Sequence, residues 1–77
     1  MNYDLAMMAL DGLIRSRLSV SVVAGEVVIE AEAAAYKDFA RLCLLLGGGS
    51  EEEGFELKPG MHVEGPGLKL KVRHPPS

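Results

Sequence analysis

Leu18, Val20 and Val22 alternate with Ser19 and Ser21, and after Ala24-Gly25 the alternation resumes through Val27 and Ile29. A period of two sends successive side chains to opposite faces of a strand, and a two-residue loop fixes how two such runs face each other. If Ala24-Gly25 is that loop, Val22 faces Val27, Val20 faces Ile29 and Leu18 faces Ala31. Six apolar side chains then share one face, and the other face sets Ser21 against Val28 and Ser19 against Glu30. This stretch constrains the fold more than any other, because a slip of one residue would turn its apolar set towards water.

Helical periods flank the hairpin. From Asp4 to Arg15, the residues Met7, Leu10, Leu13 and Ile14 fall on one arc of a helix and Asp4, Asp11, Gly12 and Arg15 on the other, with Met8 projecting from the polar side. A second helix is predicted from Glu32 or Ala33 to Leu46, where Ala33 to Ala35 favour helix and the glycines Gly47 to Gly49 end it. Its apolar stripe runs through Tyr36, Phe39, Ala40, Cys43 and Leu46, widened by Leu42 and Leu44, with Lys37, Asp38 and Arg41 opposite. Free cysteine is among the most buried residue types, so Cys43 reads as packing material. Leu45 falls among the charged residues and is a candidate contact with a partner or with the first helix.

Strand alternation returns at Phe55 and Leu57, at Met61 and Val63 beyond the Pro59-Gly60 turn, and at Leu68, Leu70 and Val72 beyond Gly65-Pro66-Gly67. His62 points outward on this reading. Residues 1–77 form a single domain, with 74–77 a frayed tail. The expected fold is α+β: one antiparallel sheet of four to five strands, the main helix packed on one face and an additional helix at the N-terminus.

Composition narrows the function. Hydrophobic residues are 48% of the chain, enough for a core, and the absence of tryptophan with only two Phe and two Tyr makes that core aliphatic. Eleven acidic against eight basic residues give a net charge of -3, which opposes a grip on nucleic acid, since that grip needs clustered Lys and Arg. The longest apolar runs, Leu5 to Leu10 and Leu42 to Leu46, fall far short of the ~20 residues that span a bilayer. One cysteine cannot form an internal disulfide, and no basic segment leads into an apolar one at the start, so the expected compartment is the cytoplasm. Cys43, His62 and His74 lack the close ligand pairs of a metal site, and the glycine run follows a helix without the Gly-Lys-Ser/Thr ending of a phosphate loop. No cofactor, metal or catalytic set is expected, and the chain does not read as an enzyme. What remains is an acidic surface: Glu30, Glu32 and the loop residues Glu51, Glu52 and Glu53 can gather at one end of the second helix and speed encounter with a basic protein.

From Val27 to Arg73 the chain resembles small immunity proteins of bacterial polymorphic toxin systems, of the immunity protein 32 type. VVIEAE stands in the place of their apolar strand ending in acids, FARLCLLL in that of their leucine-rich helix and LKLKV in that of their last alternating strand, over 47 of the 77 residues. Ala34 and Ala35 depart from the pattern, standing where a glycine and a larger apolar residue are expected. The resemblance implies a protein that neutralises a toxin domain by binding it tightly. The alternative is a small structural homodimer or accessory subunit of a larger complex, suggested by Met8, Leu45 and a core small enough to need support.

Overall fold

The hairpin forms with the expected register. In the computed structural model, which describes residues 2–48 and 53–76, β1 (Leu18–Val23) and β2 (Glu26–Glu30) are antiparallel, with Val22 opposite Val27, Val20 opposite Ile29 and Ser19 opposite Glu30. Ala24 and Gly25 make the loop at φ 52° and 81°. Two successive left-handed residues match the right-handed twist of the strands they join.

The remaining strands depart from a single antiparallel sheet. β3 (Gly54–Leu57) pairs with β5 (Leu68–Lys71) in a separate two-stranded sheet, and β4 (Val63–Glu64) joins the hairpin to give the order β2-β1-β4. The β1–β4 pairing is parallel, with Leu18 beside Val63 and Ser19 beside Glu64. The physical cause lies in the turn from Lys58 to Val63. The Lys58 carbonyl accepts from the N–H groups of Met61, His62 and Val63 at 3.2, 3.0 and 3.3 Å, which spends residues on a tight bend and leaves β4 two residues long. β5 therefore finds its partner in β3, where Glu56 meets Lys69, Phe55 meets Leu70 and Leu57 meets Leu68. Opposite charges and apolar pairs across a ladder both stabilise it.

Helices α1 (Asn2–Arg15) and α2 (Ala33–Gly47) pack on each other. Both present a different face from the one their periodicity suggested. On α1 the buried side is Ala6, Ala9, Gly12 and Leu13, whereas Met7 and Ile14 are exposed. Small residues let the helices approach closely: the space a side chain at Gly12 would fill is taken by the carboxylate of Asp38. On α2 this approach turns the helix by roughly one residue's step about its axis. Ala35 and Leu42 become the fully buried positions. Asp38 and Leu45 swing into half-buried places, and Cys43 and Leu44 swing out to solvent. The expectation of a buried Cys43 is thus corrected by packing against the first helix.

One core serves both sheets. Ala6, Ala9, Leu13, Leu18, Val20, Ala35, Leu42, Leu57 and Val63 form a single cluster, drawn from both helices, the hairpin, β3 and β4. The hairpin outruns it. Leu18 and Val20 are buried, but Val22 and Val27, one step nearer the loop on the same face, are exposed.

Candidate functional site

The outer face of the three-stranded sheet carries charge where the inner face carries the core. Because Ser19 stands between Glu30 on one side and Glu64 on the other, the side chains Glu30, Ser19 and Glu64 form a row across three strands. Two strand spacings put the backbones of the glutamates about 10 Å apart. Glu26 lies on the same face nearer the loop, since residues two and four apart along a strand point the same way. At the far end the row opens into a cleft of about 670 Å³ between the sheet and the α1–β1 connection, lined by Arg15, Ser16, Arg17, Glu30, Glu32 and Glu64 among others.

Local chemistry holds the cleft in shape. Glu32 stands at the N-cap of α2 in extended backbone, but its carboxylate makes no capping bond and instead accepts from the Ser16 hydroxyl, 3.2 Å away. The bond links the end of α1 to the start of α2. Tyr36 donates its hydroxyl to the Ile29 carbonyl at 2.6 Å, tying the first turn of α2 to β2. Among the described residues no ion pair joins Arg15 or Arg17 to the cleft glutamates within 4.0 Å, so both signs of charge face solvent.

Glu64 reaches this row through a buried histidine. His62, expected to point outward, is buried, and its Nδ1 accepts from the Lys58 backbone N–H at 3.1 Å. The His62 carbonyl accepts from the Leu18 N–H at 3.2 Å, which sets β4 alongside β1. An accepting Nδ1 requires the neutral ring. Burial, with the charge of Lys58 adding to it, pushes the His62 pKa below its ordinary 6.5. The unfolded chain therefore takes up a proton at His62 before the folded one does. The contribution of His62 to stability is complete above pH 6.5 and is lost as pH falls from there through the lowered folded value. Urea midpoints measured on both sides of that pH should fall on acidification, and the fall should be smaller in His62→Asn, whose amide oxygen can accept the same bond without titrating. An equal fall in both proteins would remove His62 from the explanation.

The acidic residues singled out from sequence divide among several places. Glu30 and Glu32 both line the cleft. Glu53 is exposed at the entry to β3, where its carboxylate stands 4.0 Å from His74 Nε2, and Glu51 and Glu52 lie outside the described residues. Leu45 is half-buried and packs against the core, beside a small apolar cavity of about 250 Å³ that it lines with Leu5, Arg41 and Leu44. Glu64, Arg15 and Arg17 were not among the sequence candidates. Glu64 comes in through a parallel pairing that no local pattern announces. Among the described residues no three His, Cys, Asp or Glu side chains are grouped to hold a metal ion, and no helix is long and apolar enough to cross a membrane. No family model matches the chain, and neither a curated protein nor a solved structure matches it.

Proposed function

We propose that this chain is a non-enzymatic bacterial protein-binding module that neutralises a basic toxin domain in the cytoplasm. The row Glu30, Ser19, Glu64 carries the reading. It sets two carboxylates on a rigid sheet face with Glu26 and Glu32 beside them, and a fixed acidic surface both steers a basic partner and fixes its orientation. Arg15 and Arg17 at the rim favour a partner with its own acidic group in register. The resemblance of Val27 to Arg73 to immunity proteins supports the same reading, and an exposed lone thiol suits a reducing compartment.

The test is capture from native lysate by the protein and by a variant carrying Glu30→Lys and Glu64→Lys. Glu32 is left intact because its carboxylate holds Ser16. A basic partner retained by the parent should bind the variant at least about tenfold more weakly, a change of about 1.4 kcal/mol. Equal retention would place recognition elsewhere. A second reading, a self-associating accessory subunit, is favoured by a separate observation: ten large apolar side chains are exposed among the described residues, Met8 at 67% and Leu44 at 73% the most.

A further inference from the structure

We propose that a second copy of this chain packs face to face on the uncovered end of the β1–β2 hairpin, across a two-fold axis. This rests on the self-association reading and names its surface. Val22 and Val27 are 63% and 64% exposed and stand opposite each other on the face that, one step further in, supplies Val20 and Ile29 to the interior. Apolar alternation that continues beyond the helices' cover is the pattern of a sheet face with another layer upon it. Tyr36 extends the surface, since its hydroxyl reaches the Ile29 carbonyl while the side chain stays half-exposed. Ala40 and Cys43, four and seven residues further along α2, continue its stripe and are exposed.

The amount of surface agrees. The chain exposes 5520 Å², whereas a folded monomer of 8.2 kDa is expected to expose about 4500 Å². The excess, about 1000 Å², is summed over the whole chain, and burying the roughly 800 Å² that each partner contributes to a standard interface would return the chain to the exposure of a compact monomer.

Charge decides between the two ways a copy can dock. Pairing β2 edge to edge about Val28 would set Glu26 opposite Glu30 of the other copy twice, and like charges directly opposite destabilise a ladder. The Tyr36 hydroxyl already occupies the Ile29 carbonyl on that strand. The strand row of Val22 and Val27 carries no charged residue, so a two-fold copy docked on that row sets valine against valine. A two-fold contact needs such a self-complementary patch.

Light scattering across a wide concentration range tests this. The parent should show a mass approaching twice 8.2 kDa, and a variant with Val22→Lys and Val27→Lys should dissociate at least about a hundredfold more readily while keeping its circular dichroism. Both positions are already exposed, so the fold tolerates the change. A parent that stays monomeric at every concentration overturns the self-association reading itself. A dimer that survives the double variant overturns only this surface, and loss of that dimer in Leu44→Lys would move the contact to the helices. Partner capture through Glu30 and Glu64, on the opposite face, is a separate measurement and should survive the valine changes.

Discussion

Replacing Leu42 by alanine is expected to leave the protein only marginally folded at ambient temperature. Leu42 is the one large side chain that α2 buries completely, since Ala35, its other fully buried residue, is small. Removing a buried leucine's methyl groups costs about 2–5 kcal/mol, through lost transfer free energy and the cavity left behind. A domain of this size holds only about 3–5 kcal/mol in total. Substitution at Leu42 therefore consumes most of that margin, while Leu44→Ala, two residues on and 73% exposed, should cost under about 0.5 kcal/mol. Urea unfolding followed by far-ultraviolet circular dichroism, at one fixed protein concentration, separates the two. Equal midpoints for the two variants would show that α2 is not oriented as described.

Gly65→Ala should be nearly as damaging, for a backbone reason. Gly65 sits at φ 94°, immediately after β4, and a side-chain carbon there would run into the carbonyl of Val20. The left-handed backbone alone costs a residue with a side chain about 1–2 kcal/mol. The collision adds to this, because neither strand can yield without breaking the parallel β1–β4 pairing. We expect a total loss of about 3 kcal/mol, enough to lower the thermal midpoint by more than about 12 °C. Gly25→Ala is the control: its φ is 81°, but the space around it is open, so it should lose only the conformational part. If the two alanines prove equally costly, close approach at Gly65 is not what holds β4 in place.

Local patterns wrote several elements plainly. The register of the β1–β2 hairpin, the start of α2 at Ala33 and the alternation of β5 follow from neighbours in sequence, because a two-residue loop, a run of alanines and a period of two act over a few residues. Which arc of each helix goes inward could not be read in the same way. The apolar stripe of α2 was wide enough to centre on Cys43 or on Leu42. Only the small residues Ala6, Ala9 and Gly12, in a helix far away in sequence, chose Leu42. His62 misled for a related reason: alternation along a strand placed it outward, but the strand is two residues long and the histidine belongs to the turn before it.

The candidate site divides in the same manner. Glu30 and Glu32 were legible as acidic groups where a strand hands over to a helix, and both reach the cleft. Glu64 became their neighbour only when the turn at Lys58 laid β4 parallel to β1, a pairing between residues more than forty positions apart.

By itself, then, the amino-acid order determined the hairpin and its register, the extents of the two helices, the aliphatic character of the core and the acidic balance of the surface. All of these are set by interactions over short spans of chain or by composition. The tertiary structure alone decided that there are two sheets, that one pairing is parallel, that Cys43 faces water while Leu45 packs inside, and that Val22 and Val27 remain uncovered. Those outcomes depend on how closely distant segments can approach, and that distance is fixed by the absence of a side chain at Gly12 and Gly65 and by the bend that His62 holds.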